Sequence, residues 1–291
     1  MKLRTVVLPA LLMALLVASS CTPRQAGTPK KSTSPSASVV ADPPASPTPA
    51  RPSHVFVIVM ENSSYESAMA QPYLASLAAQ YGVATDYHPI SNPSLPNYLA
   101  MTSGSTWGIR DDNYHRLPSA GLGVELTDAG ISWKAYMEGF TGDCFNSPYP
   151  YALKHNPFAY YGGQCPANVV PMTQLTADLA ANTPQLSWIT PGMCHDGHDC
   201  SRRVADQWLA ATVPQILASP AWQDNGVLFI TADESDGAGD RVPFVVAAPQ
   251  LHGAQLTQTY DHYSLLATIA DDLQVARPGE SAQANPISLN G

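Results

Sequence analysis

Three uninterrupted apolar runs constrain the fold of this 291-residue chain more than any other feature. They cover residues 54–60, 226–231 and 242–247 and consist largely of Val, Ile, Leu, Phe and Ala. A strand without alternating polar positions suits the middle of a parallel sheet, where helices cover both faces. The runs therefore predict buried central strands.

Shorter strand-like runs and helical patterns lie between these runs. The shorter strand candidates are residues 132–136 and 186–190. Apolar residues three and four apart predict helices over residues 72–81, 172–181, 204–217 and 262–273. The alternation predicts an α/β fold, a single domain whose central, mostly parallel sheet is flanked by helices. Residues 105–170, rich in Gly, Pro, Tyr and Asn, are expected to form loops held by a disulfide.

The N-terminus has the pattern of an export signal. Lys2 and Arg4 precede an apolar run over residues 6–18, and two serines then stand directly before Cys21. We expect residues 1–20 to be the signal, and Cys21 to be lipidated because the small residues before it resemble the bacterial lipobox. This would anchor the protein to the outer face of the cell membrane. An ordinary signal peptide cut nearby, followed by secretion, is the alternative.

The next segment is expected to be a disordered tether. Residues 21–52 are rich in Pro, Ser, Thr and Ala and cannot bury enough apolar surface to offset the entropy of ordering. The folded domain is then residues 53–291. The net charge of −9, with no Lys/Arg cluster beyond residue 31, argues against nucleic-acid binding. We expect a monomer.

Four cysteines follow Cys21, and an even number in an exported chain suggests two disulfides. They are Cys144, Cys165, Cys194 and Cys200. Proximity in sequence favours Cys144 with Cys165 and Cys194 with Cys200, although three pairings are formally open. A zinc site formed by the second pair with His195 and His198 is the alternative, which a disulfide-permissive compartment disfavours.

Acidic and amide side chains follow two of the predicted central strands. Glu61 and Asn62 come after the first run, and Asp233 and Glu234 come after the run that ends at residue 231. Since ligands bind at the carboxyl ends of parallel strands, these four side chains could form an oxygen-ligand site for Ca²⁺, Mg²⁺, Mn²⁺ or Zn²⁺. The alternative is that each pair caps a helix or solvates a turn.

Ser94 lies between two prolines, just before a short helical pattern. Backbone N–H groups at the start of a helix favour a phosphate group, and an adjacent cation could make the hydroxyl nucleophilic. The alternative role for this serine is that of a helix N-cap.

Histidines supply a third element. They are His155 beside Lys154, His195 and His198 in the segment between two cysteines, and His262. Histidine can hold phosphate oxygens or protonate a leaving alkoxide near neutral or acidic pH. Any one of them could instead be a structural or surface histidine.

Taken in order, these segments resemble the bacterial phosphoesterase family of acid phosphatases and phospholipases C, within the alkaline-phosphatase superfamily. The resemblance covers residues 54 to about 274. The matching blocks are VFVIVMENSSYE, NPSLPNYLAMTSG, KHNPF, LSWITPGMCHDGHD, ADQWL, VLFITADESDG and YDHYSLLATIADDL.

The resemblance implies an alkaline-phosphatase-like fold, with residues 53–291 as the catalytic domain, and a role for each matching residue. The implied ligands of a divalent metal ion are Glu61, Asn62, Ser94, Asp233 and Glu234. Ser94 is the implied nucleophile. Implied contacts to metal or phosphate come from His155, His195, Asp196 and His262, with Lys154 beside the substrate phosphate.

The expected function is therefore that of a metal-dependent acid phosphatase that forms a phosphoserine intermediate. Its substrate would be a small phosphate ester or a lipid phosphate such as a phosphoinositide. One alternative is a phospholipase C or phosphodiesterase, which would use the same residues. A second alternative is a non-catalytic lipoprotein that binds a solute or the cell wall.

Overall fold

The computed structural model describes residues 51–289. The predicted export signal, Cys21 and the tether up to residue 50 lie outside the described residues, so these assignments stay predictions. Among residues 51–289, no helix has the length and apolar character needed to cross a bilayer.

Strands and helices alternate through the described part of the chain. The strands are β1 (Val55–Met60), β2 (Gly82–Ala84), β3 (Tyr87–His88), β4 (Trp133–Met137), β5 (Val169–Pro171), β6 (Leu186–Thr190), β7 (Val227–Ala232), β8 (Phe244–Ala247), β9 (Ala254–Leu256) and β10 (Tyr260–Asp261). The helices are α1 (Tyr65–Met69), α2 (Pro72–Gln80), α3 (Ser94–Ser103), α4 (Leu122–Asp128), α5 (Leu175–Ala181), α6 (Arg202–Leu217), α7 (Pro220–Gln223) and α8 (His262–Asp272). Short 3₁₀ turns cover Leu153–His155, Pro157–Ala159, Met172–Gln174 and Gly279–Ala282.

Eight strands form one sheet in the order β5-β4-β6-β1-β7-β8-β2-β9, and β3 pairs with β10 separately. The five strands from β5 to β7 are all parallel to one another. All six residues of β1 and of β7 are buried, as expected for adjacent strands in the middle of a covered sheet. The predicted α/β fold with a mostly parallel sheet is confirmed.

The register of β1 and β7 determines where the polar residues that follow these two strands lie. Val55 pairs with Val227, and the strands stay level until Met60 pairs with Ala232. The N–H of Asp233 donates to the carbonyl of Met60 at 3.0 Å. The chain segments that follow the two strands therefore leave the same edge of the sheet side by side.

β8 is the exception to the parallel arrangement. The apolar run over residues 242–247 predicts a strand like the other two, but β8 starts at Phe244 and is antiparallel to both β7 and β2. A parallel return needs a crossover of about a dozen residues or more, usually a helix. The connection from β7 to β8, residues 233–243, contains no helix. Apolar composition indicates burial and carries no information on strand direction.

Both disulfides join the cysteines that are neighbours in sequence. Cys144 bonds to Cys165, and Cys194 bonds to Cys200. The alternative zinc site is excluded in this state because the sulfur atoms of its two cysteines are bonded to each other. The first bond lies in the stretch predicted as loops, which also contains α4, β4 and β5.

Asp272, the last residue of α8, is partly buried, and its Oδ2 is buried with no hydrogen-bond partner among the described residues. Burial, and then the charge of Asp271, raise the pKa of Asp272 from 3.8 to about 7. Because the folded protein holds this proton more tightly than the unfolded chain does, the free energy of unfolding falls as the pH rises from about 4 to 7.

Asp272→Asn is therefore expected to raise the free energy of unfolding by about 1–3 kcal/mol at pH 8 and to change it little at pH 4. Urea denaturation at the two pH values measures this difference. Asp128→Asn, at the exposed end of α4, is the matched control because it makes the same change at the end of a helix, and it should gain less stability at pH 8 than Asp272→Asn does. Equal gains for Asp272→Asn at pH 4 and pH 8 would contradict the prediction.

Candidate active site

Ser94 is the first residue of α3 and is 1% exposed. Its Oγ lies 3.1 Å from Glu61 Oε2, 3.3 Å from Glu234 Oε1 and 3.4 Å from Lys154 Nζ. The N-cap position belongs to Pro93 instead, and the Pro93 side chain makes no cap hydrogen bond. The Ser94 hydroxyl therefore faces the acidic cluster, and the structure does not use it as a helix cap.

The side chain of Asn97 fixes the turn that leads into α3. Its Oδ1 accepts the N–H groups of Ile90 and Ser91, at 3.0 and 2.9 Å. Its Nδ2 donates to the carbonyls of Ser91 and Pro93. Asn97 is fully buried, so these four bonds hold the chain that delivers Ser94.

Three buried carboxylates meet near Ser94, because the segments after β1 and β7 leave the sheet together. Glu61 and Asp233 are 0% exposed, and Glu234 is 4% exposed. Burial, and then the charge of Glu61, raise the pKa of Glu234 to about 7. The same two causes raise the pKa of Asp233 well above its ordinary value. The cluster thus concentrates negative charge where little water can offset it.

The oxygen atoms of this cluster have the chemistry of ligands for a hard divalent cation. Asn62 Oδ1, Asp233 Oδ2 and Glu234 Oε2 are buried and have no hydrogen-bond partner among the described residues. Unpartnered buried oxygen atoms destabilise a fold unless a cation or donor satisfies them. As the side chains stand, however, no three His, Cys, Asp or Glu residues within 51–289 form a group that could hold a metal ion. The inference that these residues suit a metal ion therefore rests on the chemistry of their oxygen atoms.

Asn62 has a backbone φ of 35°, in the left-handed region that Asn tolerates better than most residues. Its N–H donates to Asp233 Oδ1 at 3.3 Å, and its carbonyl accepts from Arg202 Nη2. The strained turn after β1 thus holds the backbone of Asn62 against Asp233.

His155 lies between two carboxylates on the inner side of the site. Its Nε2 is 3.1 Å from Glu61 Oε1, and its Nδ1 is 3.3 Å from Asp196 Oδ2, both within ion-pair distance. The contact between His155 Nε2 and Glu61 Oε1 does not have the geometry of a hydrogen bond. Burial opposes a charge on His155, but Glu61 and Asp196 raise its pKa to about 10. The ring stacks on Tyr98, whose hydroxyl donates to Glu61 Oε1 at 2.8 Å.

The sequence profile of the phosphoesterase family matches residues 67–276. The chain belongs to this family. The resemblance drawn from the ordered sequence blocks is therefore confirmed.

Two relatives show how far the phosphoesterase likeness extends. A probable acid phosphatase of Kluyveromyces lactis is 30% identical over 258 residues, which cover 80% of this chain but 61% of the yeast protein. A phosphatidylinositol-3-phosphatase of Mycobacterium tuberculosis is 29% identical over 250 residues, which cover 81% of each chain.

A solved structure supports the fold of this phosphoesterase. A protein of the alkaline phosphatase superfamily from Vibrio parahaemolyticus aligns with a TM-score of 0.56 at 11% identity, over 80% of this chain and 70% of that chain. The predicted alkaline-phosphatase-like fold is confirmed.

Two predicted site histidines of this phosphoesterase are engaged away from Ser94. The His195 side chain is 43% exposed, and its Nδ1 lies 2.8 Å from Glu138 Oε1. His262 is fully buried, with Nδ1 3.0 Å from the Tyr87 hydroxyl and Nε2 2.6 Å from the carbonyl oxygen of Asp233. Burial lowers the pKa of His262 to about 4. The predicted catalytic roles of both histidines stay predictions.

The tautomer of His262 follows from its two partners. A carbonyl can only accept, so Nε2 carries the proton, and Nδ1 accepts from the Tyr87 hydroxyl. His262 thereby braces the backbone that presents Asp233.

The structure also brings in Asp112, which the sequence patterns did not single out for the site. Lys154 Nζ lies 3.2 Å from Asp112 Oδ2 and 3.2 Å from His198 Nε2. Asp112 belongs to the irregular stretch predicted as loops, where no periodic pattern marks a residue. Asp206, in the ADQWL block, has a structural role, since its two oxygens accept the N–H groups of Tyr73 and Leu74 at the start of α2.

Proposed function

We propose that this chain is a metal-dependent phosphatase that hydrolyses phosphate monoesters, with Ser94 as its nucleophile. The observation that carries the proposal is the position of Ser94 Oγ, which lies at 3.1–3.4 Å from two carboxylates and one ammonium group at the start of a helix. A two-step phosphoryl transfer needs a hydroxyl as the nucleophile, a proton acceptor beside it and a positive charge to stabilise the transition state.

Each group around Ser94 has a task in this reaction. Glu61 or Glu234 accepts the proton as Ser94 Oγ attacks the phosphorus, and the bond between phosphorus and the leaving alcohol breaks. Lys154 offsets negative charge that develops near Oγ. The leaving alkoxide takes a proton from solvent water and departs as the alcohol. A second water molecule then attacks the phosphorus and gives a proton to solvent, the bond between phosphorus and Ser94 Oγ breaks, and Oγ takes its proton back from the glutamate as inorganic phosphate is released.

Glu61, Asn62, Asp233 and Glu234 would hold the metal ion, together with Ser94. When bound, a divalent cation supplies positive charge beside the nucleophile and the phosphoryl oxygens. The unpartnered oxygen atoms of Asn62, Asp233 and Glu234 support this part of the proposal.

The relatives support a monoester as substrate, and a lipid phosphate is included in the proposal. The Kluyveromyces lactis relative is named a probable acid phosphatase, and the Mycobacterium tuberculosis relative is named a phosphatidylinositol-3-phosphatase. We further propose that the chain acts outside the cell, anchored through Cys21. An anchor at the membrane surface would bring the site close to lipid phosphates.

Turnover of three substrates, with and without a chelator, tests the proposal. We expect the purified protein to release p-nitrophenol from p-nitrophenyl phosphate at least ~10-fold faster than from its bis ester, and to release no phosphocholine from phosphatidylcholine. EDTA should abolish the activity, and Mg²⁺, Ca²⁺, Mn²⁺ or Zn²⁺ should restore it. Faster cleavage of the bis ester would identify a diesterase, and no turnover of any substrate would leave the non-catalytic lipoprotein.

A further inference from the structure

We infer that Asp112 is a positioning residue that, together with His198, sets the ammonium group of Lys154 against Ser94. The inference rests on the proposed function, because it assigns a task within that reaction. Neither Asp112 nor His198 belongs to the predicted ligand or nucleophile set.

Asp112 uses its two oxygen atoms for two different partners. Oδ1 accepts the N–H of Leu95 at 2.9 Å, in the first turn of α3, and Oδ2 lies 3.2 Å from Lys154 Nζ. One carboxylate therefore connects the helix that carries the nucleophile to the cation that faces it. A shift of Asp112 would change the distance between Ser94 and Lys154.

His198 contacts the same ammonium group from the other side. Lys154 has only N–H donors, so His198 Nε2 accepts at 3.2 Å and the ring proton lies on Nδ1, which donates to Asp199 Oδ1 at 2.8 Å. The His198 N–H donates to Asp196 Oδ1. The disulfide between Cys194 and Cys200 closes the short segment that contains these residues.

Lys154 is held by as many partners as it has donors. Its three N–H bonds can point to Asp112, His198 and Ser94, at 3.2, 3.2 and 3.4 Å. A lysine side chain has many rotamers, and fixing it before the reaction avoids that cost in the transition state. The side chain is 19% exposed, so water competes only in part for the ammonium group.

Asp111 provides a comparison within the same loop. Its carboxylate pairs with His115 at 2.7 Å and is 47% exposed. It therefore has the same chemistry as Asp112 but points to a surface partner, which makes Asp111→Asn the matched control.

A double-mutant cycle tests the inference with p-nitrophenyl phosphate. Asp112→Asn keeps an oxygen for the Leu95 N–H but loses the charge opposite Lys154. We expect kcat to fall ~10- to 100-fold with KM changed less than ~3-fold, because Lys154 contacts the nucleophile oxygen where charge develops. In a Lys154→Met background, Asp112→Asn should lower kcat by less than ~3-fold further. Asp111→Asn should retain wild-type kcat.

His198→Ala supplies a second arm that does not depend on how well Asp112→Asn folds. As a single substitution, His198→Ala should lower kcat. In the Lys154→Met background, it should have little further effect on kcat. Multiplicative losses in both cycles would overturn the inference, as would unchanged kcat in Asp112→Asn and His198→Ala. Failure of the proposed function would be seen separately, as an inactive wild-type protein or an active Ser94→Ala variant.

Discussion

Ser94→Ala is expected to lower kcat for p-nitrophenyl phosphate by at least ~10³-fold, because it removes the hydroxyl that lies within hydrogen-bond distance of both Glu61 and Glu234. The fold should persist, since the backbone N–H and carbonyl of α3 are untouched and the helix takes no cap from this side chain. Steady-state assays with far-UV circular dichroism and a thermal melt measure the two effects separately.

Ser91→Ala is the matched control for this substitution. Its hydroxyl lies three positions earlier and bonds only weakly to the adjacent carbonyl of Asn92, at 3.4 Å. The control should keep wild-type kcat. Acid quenching during turnover should leave a phosphoryl group on the peptide that contains Ser94, and that label should be missing from the alanine variant. Full turnover by Ser94→Ala would remove the nucleophile assignment.

The fold was predictable where burial shows in the sequence as an uninterrupted apolar run. β1 and β7 lie within a residue of their predicted positions, because strands covered on both faces need apolar residues throughout. The two- and three-residue strands β2, β3, β5, β9 and β10 were not predicted, since so short a segment has no readable period. The antiparallel direction of β8 depends on its connection and not on its composition.

The site was predictable to the extent that it follows from strand ends. The convergence of Glu61, Asp233 and Glu234 near Ser94 follows from β1 and β7 being adjacent and level. Asp112 and His198 reach Lys154 through irregular loops, one of them closed by a disulfide, and their positions depend on tertiary packing that no local pattern encodes. The surface position of His195 was hidden from sequence for the same reason.

Glu61→Gln is the second substitution with a large expected effect. Glu61 contacts Ser94 Oγ, the Tyr98 hydroxyl and His155 Nε2, and it is a proposed metal ligand. Glutamine keeps the shape of the side chain and one acceptor oxygen, but it removes the negative charge. We expect kcat to fall at least ~10³-fold. In thermal melts, added Mn²⁺ or Zn²⁺ should raise the unfolding midpoint of the wild type and raise that of the variant much less.

Glu66→Gln makes the same chemical change five residues further on, where the carboxylate pairs with Arg241 at the surface. It should keep both the activity and the metal-induced shift of the midpoint, so a loss confined to Glu61→Gln would reflect position and not charge alone. The two readouts also separate the two tasks of Glu61. An inactive variant with an undiminished metal shift would remove Glu61 from the ligand set and leave it as a proton acceptor for Ser94. A Glu61→Gln variant that keeps both the activity and the metal-induced shift would exclude Glu61 from the reaction. A carboxylate that served as metal ligand or as proton acceptor could not lose its charge without a loss of one or the other.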